Sequence, residues 1–318
     1  MIHTRNHAPK GQPPITQGNV LCSAKAPCAS ELSPPPKGAS DTPSGGWGAP
    51  ITSLKNPKVS HVVALKEKAH ERRAQGLFVV EGMREIRQAL TSGFALDALF
   101  VCEAIGDAER FARSLPSAPV FPVSSAVFAK MAYRDNSDGL IAVMPQRPLP
   151  LDDIQLSANP FVILLEAVEK PGNLGAVLRT ADAAAADAVI ICDPHTDLYN
   201  PNVIRSSIGC VFTQQVAACS SAEALRWLRA RSIAVYAASL GAAQWYHDTD
   251  FTPPSAVVMG TESSGLTPFW LTHADAQIKI PMRGTIDSLN VSVSTAVLAF
   301  EAMRQREEAK FPTPRRGH

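Results

Sequence analysis

The stretch that decides the fold is "FVILLEAVEKPGNLGAVLRTADAAAADAVIICD", residues 161–193. Its opening, "FVILLEAV", is apolar except for one glutamate and is short enough for a strand covered on both faces. The "LGAVLRTADAAAADA" that follows carries apolar and small residues at helical spacing, and "VIICD" is a second buried strand. Two covered strands joined by a helical crossover make a parallel pair, the basic unit of an α/β sheet.

Downstream the same alternation continues. "NPNVIRSSIG" and "SAEALRWLRARS" read as helices, and "FTQQVAAC", "IAVYAASL", "AVVMGTE" and "AQIKIPM" as strands. A helix from Leu289 closes a domain over 159–310, whose six strands form a mostly parallel sheet. Upstream, "SLKNPKVSHVVALKEKAHERRAQG" reads as one helix with a stripe of Val59, Val62, Val63 and Leu65. From "LFVVEG" onward, strands and helices alternate to Met144, giving a small α/β domain over 50–146. "PQRPLPLDD" opens a proline-rich linker, 147–158. Residues 1–49 are rich in Pro, Gly and Ser without periodicity and are expected to be a disordered tail, with a short second tail at 311–318.

Bulk composition narrows the class. Of the 318 residues 45% are hydrophobic and 19% charged, as in a globular protein with a sizeable core. The net charge of +1 gives no whole-chain field, so any nucleic-acid contact has to come from local patches. No apolar run is long enough to span a bilayer, so no membrane partner is expected. The six cysteines form no CxxC pair or Cys/His array at zinc spacing; no metal is expected, and a reduced cytoplasmic setting is. The acid-free first thirty residues leave organelle targeting as the alternative.

Ligands of open α/β sheets bind at the carboxyl ends of strands. Three segments there are rich in Gly, Pro and polar groups: "EKPGNLGAVLRTAD" (169–182), "GTESSGL" (260–266) and "IPMRGTIDSLNVSVS" (280–294). Each polar residue also has a purely structural reading. Asn173 suits an N-cap, and Arg179 is either a solvated or ion-paired helix arginine or an anion-binding fork. Glu262 can be a satisfied loop carboxylate, and Ser288 and Asn290 can satisfy the free N–H groups of the last helix. Neither GxGxxG nor GxxxxGK[ST] is present, which disfavours a nicotinamide or ATP site. No Ser/His/Asp set can be ordered from the histidines, so hydrolase chemistry has little support.

Taken in order, N-x-G-x-x-x-R at Asn173, Gly175 and Arg179, then "MGTESSGL", then "IPMRGTIDSLNVSVSTAVLAFE" resemble the signature motifs of the SpoU–TrmH RNA ribose methyltransferases. "RRAQGLFVVEGMREIRQAL" resembles the start of the small ribosomal-protein-like substrate-binding domain that many members carry. The resemblance implies a trefoil-knotted α/β methyltransferase domain of the SPOUT type, where general rules would give an open Rossmann-like sheet. It implies S-adenosylmethionine as methyl donor, a homodimer, and RNA as substrate, ribosomal in preference to transfer RNA. A non-catalytic RNA-binding assembly factor of the same fold is the alternative.

Carried over, the catalytic set is Asn173, Arg179, Glu262, Ser288 and Asn290, and the donor site is Met259, Gly260, Thr261, Glu262, Ile280, Met282, Ser288, Leu289 and Asn290. The resemblance implies Arg179 as the candidate that takes the proton of the reacting hydroxyl. A guanidinium stays charged and is a poor base, so Arg179 is expected instead to bind the phosphate beside the reacting ribose, with Asn173 and Ser288 aligning the ribose and Glu262 holding the arginine or the loop. Ser294 and Thr295 depart from the family's small apolar residues, a change a packed helix tolerates. Lys66, Lys68, Arg72, Arg73, Arg84 and Arg87 are candidate RNA contacts, balanced by Glu67, Glu71 and Glu85 on the same helices. Tyr133 and Arg134 can stack on RNA or form a strand-entry turn.

Overall fold

The computed structural model describes residues 47–310, apart from 116, 117 and 135; the reading of 1–46 and of the 311–318 tail lies outside the described residues. The first part runs α1 (Pro57–Glu67), α2 (Ala69–Gln75), β1 (Leu77–Glu81), α3 (Met83–Thr91), β2 (Ala98–Val101), α4 (Ala108–Arg113), β3 (Val120–Pro122), α5 (Ser125–Met131) and β4 (Leu140–Pro145). The second part begins with β5 (Phe161–Glu166), α6 (Pro171–Ala183), β6 (Ala188–Cys192), α7 (Pro201–Ser206), α8 (Cys210–Thr213), β7 (Val216–Cys219) and α9 (Ser221–Ala230). It ends with β8 (Ala234–Ala238), β9 (Gln244–Trp245), β10 (Ser255–Met259), α10 (Pro268–His273), β11 (Ala276–Lys279) and α11 (Val291–Lys310).

The first part forms a four-stranded mixed sheet in the order β1-β4-β2-β3. The second forms a seven-stranded sheet, β7-β6-β5-β10-β8-β11-β9, in which every strand pairing is parallel. The strand missing from the sequence reading is β9, whose two residues are too few to show a period. All residues of β5, β6 and β10 are buried, because crossover helices cover both faces of the sheet. Among the described residues no helix is long and apolar enough to cross a membrane.

Several elements depart from the sequence reading. The single helix expected over 53–76 is two, parted at Lys68, which has extended backbone (φ −113°, ψ 111°). The break turns Arg72 inward, where its guanidinium donates to the carbonyls of Leu65 (2.6 Å) and Lys66 (3.0 Å) at the end of α1 and to Asp197 (2.5 Å). Arg72 is 1% exposed, so it serves the structure and is not an RNA contact. Phe212 and Thr213, expected to open a strand, instead end α8 ("CVFT"), and the strand begins only at Val216. Residues 280–290 form no strand, and the last helix starts at Val291, two residues later than expected.

The two sheets share a core. Phe78 of β1 lies 4.4 Å from the ring of Tyr199 and 5.9 Å from that of Phe212 in α8, centroid to centroid. The Tyr199 hydroxyl donates to the Arg147 carbonyl (2.9 Å) and accepts from its N–H (3.0 Å), fastening the start of the proline-rich connection. Ile154, further along it, is buried against the opposite face of the large sheet. Among the described residues, Cys102 and Cys192 are buried, and Cys210 and Cys219 half-buried.

Candidate active site

The three polar segments leave the carboxyl ends of β5, β10 and β11, which lie near one another because β5 pairs with β10 and β8 bridges β10 to β11. After β5 the chain turns sharply at Ala167, a non-glycine residue at φ +50° whose N–H is held by the Cys192 carbonyl at 2.9 Å. The Thr196 hydroxyl then donates to the carbonyls of Val168 (2.8 Å) and Glu169 (2.5 Å), fixing the approach to α6. Gly175 lets that helix sit against α7, since a Cβ there would meet Ser206 and the Ser207 amide nitrogen (2.7 Å).

After β10 the chain closes a tight turn. Thr261 and Gly265 exchange both main-chain hydrogen bonds at 3.1 Å, and the Thr261 hydroxyl accepts from the Ser264 N–H at 3.1 Å. A side chain on Gly260 would collide with the main chain of Gly265, which accounts for the paired glycines of "GTESSG". The turn projects Glu262 toward α6.

There the segments meet. The Asn173 amide donates to Glu262 Oε1 at 3.0 Å. The Asn290 amide donates to Asn173 Oδ1 at 3.1 Å and also to Glu262 Oε1. Lys170 Nζ pairs with Glu262 Oε2. With its Oδ1, Asn290 also accepts from the Ser292 N–H (3.0 Å) and hydroxyl (2.6 Å), so one side chain both caps α11 and ties it to the cluster. The Lys170 hydrogen bond, then that of Asn173, with a further bond from Asn290, holds the Glu262 carboxyl below its ordinary range, so it is anionic. Val168, Glu169, Thr261, Ser263 and Val291 line the depression around these groups.

The structure therefore joins Asn173, Glu262 and Asn290 and adds Lys170, which the sequence reading missed. Its signal was position: it precedes the helix-starting Pro171 and lies three residues, under one turn, before Asn173. Asn173 is the third residue of α6, not its N-cap. Glu262 is held by Lys170 and not by Arg179. Arg179 lies six residues beyond Asn173, about 9 Å along the helix and on a different face. It is exposed and has no side-chain hydrogen bond among the described residues. Ser288 is exposed as well, and its hydroxyl bonds only to Asp287 (3.2 Å) among the described residues.

Of the remaining donor-site candidates, Met259 is buried at the end of β10, and Ile280, Met282 and Leu289 are half-buried. Residues 280–289 make no main-chain to main-chain hydrogen bond among the described residues. Free peptide N–H and C=O groups beside half-buried apolar side chains and an anionic carboxylate suit a ligand with a flat heteroaromatic base and a cationic centre. S-adenosylmethionine has both.

In the first part, Lys66 is committed to the carbonyls of Lys130 (3.0 Å) and Ala132 (3.2 Å). Lys68, Arg73, Arg84 and Arg87 are exposed. On α11, the buried face is Val291, Thr295, Leu298, Ala299 and Ala302, while Val293 and Phe300 are 48% and 43% exposed. This helix is thus apolar on two sides. Thr295 is buried with its hydroxyl bonded to the Val291 carbonyl (2.7 Å), so the packed helix does accommodate it.

Comparison with known proteins bears on the family. Residues 160–300 match the model of the SpoU rRNA Methylase family, and residues 56–142 match an MRM3-like substrate binding domain. The chain is 29% identical over 273 residues to the 23S rRNA (uridine(2479)-2′-O)-methyltransferase of Streptomyces viridochromogenes, covering 83% of this chain and 94% of that one. A crystal structure of an RNA 2′-O ribose methyltransferase superposes with a TM-score of 0.72 at 40% identity, covering 81% of this chain and 100% of the other. The AdoMet-bound rRNA methyltransferase of Sinorhizobium meliloti superposes with a TM-score of 0.74 at 32% identity, covering 81% and 98%.

Proposed function

The chain belongs to the SpoU rRNA Methylase family, and from that premise we propose that it transfers a methyl group from S-adenosylmethionine to a ribose 2′-hydroxyl of ribosomal RNA. The observation that carries this reading is the Asn173–Glu262–Asn290 cluster, which ties the three polar segments together at one point. By the same reading the segment after β11 is the thread of a trefoil knot, the part over 50–146 binds RNA, and the protein works in the cytoplasm as a homodimer. The apolar outer face of α11 supports the dimer, since Val293 and Phe300 are two helical turns apart on one side.

S-adenosylmethionine supplies an electrophilic methyl on a sulfonium. The main chain around Met259, Gly260 and Thr261 and that of Ile280, Met282 and Leu289 would hold it, with Asn290 and Glu262 at its edge. For an in-line displacement the protein's contribution is mainly alignment. Asn173 and Ser288 orient the ribose. Arg179 binds the adjoining phosphate and stabilises the alkoxide as the 2′-hydroxyl gives its proton to water; a guanidinium stays charged and is no base. That Arg179 and Asn173 point from different sides of α6 supports a complete centre that draws on both subunits.

Lys170 has an electrostatic part in this scheme. The donor loses its positive charge during transfer, so an unbalanced carboxylate would favour the ground state. Pairing with Lys170 leaves Glu262 able to organise the two asparagines while adding little net charge.

Incubation with labelled donor and ribosomal or transfer RNA, followed by mapping of 2′-O-methyl sites, tests the proposal. Incorporation into ribosomal RNA is expected. No incorporation into either RNA, with no donor binding by calorimetry, overturns it.

A further inference from the structure

A second place on the surface presents an aromatic ring and a free cation together. Tyr133 follows α5 and is 43% exposed. Its backbone is firmly held: the Tyr133 and Arg134 N–H groups donate to the two oxygens of Glu81 at 2.5 and 3.3 Å. The Arg134 guanidinium donates to Glu85 at 2.6 Å, and Lys66 holds the carbonyls of Lys130 and Ala132 just before the turn. The neighbouring carboxylates are thereby engaged, which blunts their repulsion of an incoming anion.

Across the junction, Arg205 of α7 lies over the Tyr133 ring, 5.9 Å from Cζ to centroid. It is exposed and forms no ion pair among the described residues. Ring and guanidinium sit at a depression floored by Val79, Met131 and Ile204. One exposed tyrosine would call for no explanation. A rigidly mounted ring, an apolar floor and an unspent guanidinium from the other sheet's helices together make a recognition site for something flat, apolar on its faces and anionic at its edge.

Building on the RNA-substrate reading above, we propose that the Tyr133–Arg205 depression binds one unpaired nucleotide of the substrate RNA, its base stacked on the Tyr133 ring and its phosphate on Arg205. An A-form duplex keeps its base faces covered, so the site selects a looped, bulged or terminal nucleotide away from the one that is modified. Since Tyr133 and Arg205 come from the two halves of the chain, a bound nucleotide touches both.

The test uses the full-length protein and a fluorescent 15-nucleotide single-stranded RNA, with a duplex of the same length as control. Tyr133→Ala should weaken binding of the single strand about tenfold and leave the duplex unchanged, while Tyr133→Phe keeps affinity within about twofold. Arg205→Ala should lower the salt dependence of single-strand binding by about one released ion, and Arg205→Lys should restore it. Independently of any variant, wild-type protein irradiated with 4-thiouridine-labelled strand should yield a crosslinked peptide containing Tyr133. Absence of that crosslink, or equal loss on Tyr133→Phe and Tyr133→Ala, overturns the inference. So does a wild-type protein that binds no strand. Methyl transfer to ribosomal RNA, measured in parallel, separates the two readings. Strand binding through Tyr133 without transfer leaves this site standing and removes the proposed activity; transfer with an unchanged KM for RNA in both alanine variants removes the site alone.

Discussion

Two helix arginines, Arg72 and Arg179, look alike in the sequence and are opposite in the structure. Arg72 is buried, with all its bonds made to Asp197 and to the end of α1. Arg179 stands in solvent with no side-chain partner among the described residues. A satisfied arginine has its binding capacity used by the fold, whereas an unsatisfied one keeps it for a ligand. Tested singly, the two should therefore fail in different assays.

The largest effect is expected from Arg72→Met, which leaves Asp197 nearly buried without its cation. Urea unfolding should show a loss of about 3–5 kcal/mol, and Arg72→Met with Asp197→Leu should recover much of it. Next comes Arg179→Ala, which should lower kcat by about 10²–10³ while donor affinity and unfolding free energy stay nearly unchanged. Collapse of donor binding in that variant would move Arg179 into the donor site and spoil the contrast. Asn290→Ala is intermediate, because that residue is both cap and cluster member. It should cost about 1 kcal/mol of stability in denaturation and weaken donor binding measured by calorimetry.

The smallest effects concern the exposed pair. Lys170→Met should change stability by less than about 1 kcal/mol, yet lower kcat more than it weakens donor binding. Glu262 adds a pH test. Its folded carboxyl is shifted down, so what its ionised form contributes is present above the unfolded value of 4.5 and lost as pH falls through the lower folded value. Donor affinity should therefore be flat from about pH 8 to pH 5 and fall only in stronger acid. An acid limb near neutrality would belong to another group.

Much of the frame could be read from the chain. The buried strands β5, β6 and β10 announced themselves as apolar runs, and the segments after β5, β10 and β11 were marked by Gly, Pro and polar residues. What escaped depended on contacts distant in sequence. Nothing local breaks the helix at Lys68; the gain comes from Arg72 reaching Asp197, 125 residues away. The structural alternative for Asn173, a cap before an apolar run, does not hold, because Pro171 starts the helix earlier and frees the amide for Glu262. The partnership of Lys170 with Glu262 spans 92 residues and leaves no periodic trace.

The aromatic contact of Phe78 with Tyr199 and Phe212 has a consequence for how a target is chosen. Swinging one sheet away from the other would uncover these rings, and at about 25 cal/mol per Å² of apolar surface such an excursion is costly. The distance between the Tyr133 depression and the Asn173 cluster is therefore a fixed length built into the fold. If the Tyr133 depression holds a nucleotide as proposed, a protein so constructed measures: it selects a nucleotide by how far it lies from a landmark as well as by what it is.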